Sequence, residues 1–293
     1  MRKPFYKYLS NLFKENSKVV ILLGDIGVFS FQGCFAYDKN RIFNMGIMEQ
    51  TMIGVSSALS SSGFIPFVHS IAPFVSERCY EQLKLNLGYE NKNVFIVSVG
   101  NSYDYAALGS THHCPNDLSI VSVIPNFKTF CPGNSFDVEK IISGNLSTEC
   151  PKYIRLSEQE NNLGRACEDL EILRSSNNAV VIIVGNAVKD MKRLLDSGLN
   201  ATVLYTYNIS EFDIKKFNEI LQSLNIRRNI IVVEPSADSG IISKISLGIK
   251  DISSISSIAF PRVFVDKYGS KKELDKYLQL DDESIIERIK KNL

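Results

Sequence analysis

The chain has no C-x-x-C pair, no apolar run near the ~20 residues that span a bilayer, and almost no net charge. Its six cysteines, Cys34, Cys79, Cys114, Cys131, Cys150 and Cys167, are scattered along the sequence. That spacing argues against a zinc ribbon or a disulfide framework and for reduced thiols. A net charge of +1 offers no electrostatic footprint for nucleic acid or an anionic membrane. The segment MRKPFYKYLSNLFKENSK lacks the apolar core of a secretory signal, so the expected location is cytoplasmic. There is no low-complexity tract and no short-period repeat. The lysine pairs Lys271–Lys272 and Lys290–Lys291 read as solvated helix faces.

What is present is ordinary globular chemistry. The 293 residues suffice for two domains at roughly 100–200 residues each. Hydrophobic residues make up 44% and charged residues 22%, which suits a packed core with a solvated surface. Short β-branched runs at 19–23, 64–68, 94–99 and 128–131 end at turn residues. Helical patterns over 4–16, 49–62, 75–87 and 135–145 separate them. Strands alternating with helices predict a parallel sheet covered on both faces. A polar stretch, 158–178, shows no strand periodicity. Beyond it, strands are predicted at 179–185, 201–207 and 229–235. Helices follow through Leu195, over 212–224 and from Ser239-Gly240. The chain thus reads as two α/β units, 1–160 and 175–293, joined through that polar stretch.

One carboxylate stands out. Glu49 in RIFNMGIMEQ opens a helix that continues inward with Thr51, Met52, Ile53, Val55, Ala58 and Leu59. Buried there, it must be hydrogen-bonded or protonated. In the first turn of a helix it also fits a capping glutamate, favoured by the macrodipole.

Several segments occur together in a known order: GIMEQ at 46–50, PFVHSIAPFVSERCYEQ at 66–82, GSTHHCPND at 109–117, IPN at 124–126 and YIRLS at 153–157. With VVEPSADSG and FVDKYGSKKELDKYLQL later in the chain, they resemble the C-terminal half of transketolase, encoded separately as a beta subunit in split enzymes. The resemblance implies a doubly wound α/β domain that binds the aminopyrimidine ring of thiamine diphosphate, followed by a transketolase C-terminal-type α/β domain. It implies a cofactor site completed by an alpha subunit, in an alpha2beta2 assembly acting on sugar substrates.

The same resemblance assigns roles. Glu49 matches the glutamate that hydrogen-bonds the pyrimidine ring nitrogen, so that the exocyclic nitrogen can take the C2 proton. Phe74 matches an aromatic that packs on the ring. Ile71 sits where many transketolases place a second aromatic. Asp25 and His69 match positions near the cofactor, and His112 matches a histidine facing the donor's oxygens. His113 is expected to be structural or at the rim. No metal ligand is assigned to this chain. The family's Gly-Asp-Gly diphosphate motif is missing, its nearest approach being Gly24-Asp25-Ile26. The metal, Mg²⁺ or Ca²⁺, would therefore be held mainly by the partner.

The departures concern substrate. Gly100 replaces a phosphate-contacting histidine, Leu108 an aspartate that contacts a hydroxyl, and Glu158 an arginine that grips the sugar phosphate, with Arg155 nearby. These changes imply ketol transfer between atypical partners. Two other readings are the beta subunit of a 2-oxo acid dehydrogenase E1 component and a non-catalytic partner subunit.

Overall fold

A computed structural model describes residues 1–224, 229–250 and 252–293. The first sheet is built from β1 (Val19–Leu23), β2 (Ile42–Asn44), β3 (Ile65–Ile71), β4 (Phe95–Val99), β5 (Lys128–Phe130) and β6 (Lys152–Arg155). They lie in the order β2-β1-β3-β4-β6-β5, and every pairing is parallel. All five residues of β1 are buried, as expected of a strand with a helix layer on each face.

The two faces are populated by alternate residues. Val19, Ile21, Leu23 and Phe67 join Phe5, Leu9 and Phe13 of the Arg2–Glu15 helix. Val20, Leu22 and Val68 join Met52 and Ile53 of the Glu49–Ser61 helix. His69 therefore faces the first layer and Ser70 the second.

The second sheet contains β7 (Glu171–Arg174), β8 (Val180–Val184), β9 (Thr202–Thr206), β10 (Asn229–Val233) and β11 (Ser254–Ile258). Its order is β11-β10-β8-β9-β7. All pairings are parallel except β7 on β9, which is antiparallel and bulged between Ile172 and Arg174. β7 falls in the polar stretch that shows no strand periodicity. As an edge strand it needs no alternating apolar face. Arg174 anchors it by donating to the carbonyl of Leu195 at 2.7 Å.

The predicted helix over 75–87 is replaced by three pieces: Ala72–Val75, Tyr80–Gln82 and a π-helical segment Leu83–Tyr89. Ser76 ends the first piece, its hydroxyl donating back to Ala72 O at 2.6 Å. The π segment meets the Glu49–Ser61 helix, where the Ser57 hydroxyl donates to Asn86 O. Lys271 is not a solvated lysine. It pairs with Asp275 at 2.7 Å and lies over the Tyr103 ring, and burial lowers its pKa.

The two sheets share a polar seam. Asp117, fully buried, accepts from Tyr153 Oη at 2.8 Å and from Arg155 Nε at 2.9 Å. Arg155 Nη2 donates to Ser102 Oγ at 2.7 Å, and Ser102 Oγ donates on to Pro235 O in the second unit. Tyr103 Oη donates to Asp275 Oδ1 at 2.8 Å. Among the described residues, no helix is long and apolar enough to cross a membrane.

His69 has a testable consequence. Its ring is fully buried, with Nδ1 2.8 Å from Val97 O and Nε2 3.1 Å from Tyr6 Oη. Burial lowers its pKa from 6.5 to about 4. The fold holds the neutral ring, whereas the unfolded ring takes a proton near 6.5. Its contribution is therefore complete above that value and is lost as pH falls toward 4, by up to about 1.4 kcal/mol per unit. Urea unfolding between pH 7 and 4.5 should show this slope in the wild type and a flatter one in His69→Gln.

Candidate active site

The residues with chemistry gather beyond the carboxyl ends of the first sheet, where open parallel sheets bind ligands. Gly24 and Asp25 follow β1, Glu49 follows β2, Phe74 follows β3, and His112 lies on the loop after β4.

Glu49 is 2% exposed. Its carboxylate does not turn back to cap its own helix. Ser70 Oγ donates to Oε1 at 2.9 Å, and Arg78 Nη1 donates to Oε2 at 3.0 Å. Ser70 reaches it because β3 alternates, which puts Ser70 on the face opposite His69. Gly24 makes the approach possible. A Cβ there would lie 2.8 Å from Ser70 Oγ and 3.4 Å from Glu49 Oε1.

Phe74 is half-buried beside this carboxylate. The Arg78 guanidinium lies 4.3 Å from its ring centroid, and His112 meets the ring edge-on at 5.4 Å. His112 is half-exposed, with Nδ1 2.9 Å from Thr111 Oγ1. That contact leaves Nε2 as its available atom. Ile71, at the end of β3, lies on the same face as His69 and packs against the first-layer core rather than against Glu49 or Phe74. Asp25 is exposed at φ 55°, in the left-handed region. It is held by a reciprocal pair with Asn44: its N–H donates to Oδ1, and Asn44 Nδ2 donates to Asp25 Oδ1, both at 3.1 Å.

His69 is not brought to this cluster. Both its ring nitrogens are satisfied inside the opposite layer, where the ring packs against Tyr6 and Gly27. A cleft of about 540 Å³ next to Asp25 is lined by Arg2, Tyr6, Gly27, Phe29 and Asn44. His113 is buried, which lowers its pKa. With Glu77, Asp238 and Arg262 it lines a separate cavity of about 620 Å³ between the two units, which contains neither Glu49 nor Phe74. Cys79 is no nucleophile, because burial and then the Glu49 charge push its thiol up to about 12.

The substrate-side positions have structural causes. A Cβ on Gly100 would meet the Tyr105 ring at 2.1 Å, so a histidine has no room there. Leu108 is half-exposed. Glu158 is exposed and faces Arg2 Nη1 at 3.8 Å, a cation from the first helix that the order of motifs does not bring near it. Arg155 is buried in the seam, where burial opposes its charge and Asp117 more than offsets that. It is not a phosphate clamp. The loop carrying His112 is braced through Ser102 and Tyr103, which bond the second unit, and through a bridge between Ser102 and Cys114.

Ser70, Arg78 and Gly24 carry no role in the sequence reading. Ser70 was legible from strand alternation alone. Arg78 was not, because its partners lie 29 and 4 residues away on different elements.

The family model for the transketolase pyrimidine-binding domain matches residues 1–163. An uncharacterized 33.6 kDa protein of the fasciation locus of Rhodococcoides fascians is 32% identical over 237 residues, covering 80% of this chain and 75% of that protein. One of the subunits of the apulose-4-phosphate transketolase of Actinobacillus succinogenes is 24% identical over 262 residues, covering 85% and 83%. A solved structure described as split gene transketolase, inactive beta4 tetramer, superposes with a TM-score of 0.83 at 24% identity, over 100% of this chain and 97% of that one. The parallel six-stranded sheet and its successor domain are thus those of a known fold: the chain belongs to the transketolase family and is built like the beta subunit of a split transketolase.

Proposed function

We propose that this chain supplies the pyrimidine-binding half of a two-chain, thiamine diphosphate-dependent enzyme that transfers a two-carbon ketol unit to an aldehyde or sugar acceptor. Its first unit, ending near residue 160, holds the ring. The second, beginning with β7, braces the loop that carries His112. The observation that carries the reading is Glu49, a carboxylate almost wholly out of water, fixed by Ser70 and set beside the half-exposed ring of Phe74.

The residues present fit the ring. Gly24 leaves the space in which Ser70 and Glu49 meet. A planar, N–H-bearing cation, the Arg78 guanidinium, already contacts both Glu49 and Phe74. When bound, the cofactor supplies a C2 centre that becomes nucleophilic on losing its proton. Ser70 fixes Oε1, and Oε2 of Glu49, which Arg78 holds in the free chain, would hold a proton against the ring nitrogen once the ring takes the place of Arg78. Phe74 packs on the ring face and excludes water from it. His112, steadied by Thr111, presents Nε2 to the oxygens of the donor. Asp25 and the cleft beside Arg2 border the place where substrate enters.

The diphosphate and its metal, Mg²⁺ or Ca²⁺, are held by an alpha partner in an alpha2beta2 assembly. Two facts support this: the chain has no Gly-Asp-Gly motif, and it aligns with most of a relative that is itself one subunit of a transketolase. The substrate is not the usual phosphosugar pair. Tyr105 fills the place of one phosphate contact, Leu108 is apolar, and the Arg2–Glu158 pair commits the cation near position 158 to a carboxylate. A neutral sugar, or one whose charge lies farther out, meets no repulsion there. The relative named for apulose 4-phosphate supports only the departure from the usual pair: a protein of similar build is named for a different sugar, one that still carries a phosphate.

Two outcomes are expected. In the complex reconstituted with its alpha partner, Glu49→Gln should slow proton–deuteron exchange at cofactor C2 by about 10²–10⁴, while assembly survives. Unchanged exchange would return Glu49 to a structural role. Offered xylulose 5-phosphate and ribose 5-phosphate, the wild-type complex should turn over weakly, and Glu158→Arg should raise that rate. Efficient wild-type turnover would refute the substrate assignment.

A further inference from the structure

Arg78 performs no step in the mechanism above, yet it stands where the cofactor ring should go. Its Nη1 is 3.0 Å from Glu49 Oε2, and its guanidinium carbon is 4.3 Å from the Phe74 centroid. One planar group therefore meets both surfaces that define the ring seat: the carboxylate that would bond a ring nitrogen, and the aromatic face that would stack. Its side chain is 43% exposed whereas Glu49's is 1% exposed, so the arginine is open to solvent along part of its length and the carboxylate is not.

We infer that Arg78 is a displaceable placeholder for the aminopyrimidine, filling its seat between Glu49 and Phe74 in the free chain and swinging out when the ring enters. This rests on the reading of the site as a cofactor seat. The physical reason is the isolated carboxylate. In a chain without cofactor Ser70 serves only Oε1, and a cation on Oε2 offsets the cost of the buried carboxylate, which is strongly destabilising when uncompensated. A guanidinium matches the need better than an ammonium, since it is flat, weakly hydrated and stacks on aromatic faces. The same contacts make it a competitor. Every hydrogen bond and every stacking contact that the ring gains is one that Arg78 must give up, so the seat stays closed to weakly held pyrimidines. Displacement also removes the cation from Glu49 as the ring nitrogen arrives.

The test uses the full chain alone and thiamine diphosphate as the probe, with affinity measured by ligand-observed NMR. Arg78→Met removes the competitor and should bind at least about tenfold more tightly than wild type, a difference of about 1.4 kcal/mol. Arg78→Lys keeps the ion pair but cannot lie flat across Phe74, so its affinity should fall between the two. Adding Glu49→Gln to Arg78→Met should abolish the gain. If Arg78→Met does not fold, the lysine variant decides, and it must bind more tightly than wild type. Equal or weaker binding by the variants, or no detectable binding by any of them, overturns the proposal. Failure of the underlying reading shows differently, as a reconstituted complex with no ketol transfer. A complex that turns over, alongside variants of unchanged affinity, overturns the displacement alone.

Discussion

A carboxylate out of water is the constraint around which this site is built. Removing an ion from water costs several kcal/mol even after relaxation, and Glu49 sits at the head of a helix whose next buried residues are Met52 and Ile53. Three elements answer that cost. β3 presents Ser70 on the face toward the helix. The turn after β1 keeps a glycine at 24, because any Cβ there would crowd Ser70. The broken segment after β3 delivers Arg78, which a continuous helix over 75–87 would have carried along a different path. The interruption at Ser76 is thus part of the site.

The second unit acts on the site from a distance. The loop from Asn101 to Asp117 holds His112 and closes on itself through the Ser102–Cys114 bridge. The seam ties it to the rest of the chain: Asp117 with Tyr153 and Arg155, Ser102 with Pro235, and Tyr103 with Asp275. The same seam consumes Arg155, a cation that position alone would have assigned to substrate. Its removal, together with Tyr105 across Gly100 and Arg2 against Glu158, leaves the substrate side with little free positive charge.

Much of the fold was legible before the structure. Val19–Leu23 and Ser135–Asn145 appear with the predicted bounds, and the apolar strands of both sheets lie within a few residues of their predicted places. The missed strands have two causes. β2, β7 and β11 are edge strands, with one side free and no need for a continuous apolar run. β6 is central but reads as polar because Lys152 and Arg155 are buried in it, Lys152 donating to Asn93 Oδ1 at 2.6 Å and Arg155 pairing with Asp117. A sequence shows the charge and not the partner that makes its burial tolerable.

The site divides along the same line. The order of its motifs placed Glu49, Phe74 and His112 in one family pattern, because those residues lie in short segments whose spacing is local. The sequence by itself determined the α/β class, the apolar strands, the family and the absence of a diphosphate motif. Only the tertiary structure decided that His69 belongs to the core, that Glu49 is satisfied by Ser70 and Arg78, and that Arg2 neutralises Glu158. Those outcomes depend on which face of a strand meets which helix and on side chains brought together from distant segments, and local spacing carries neither.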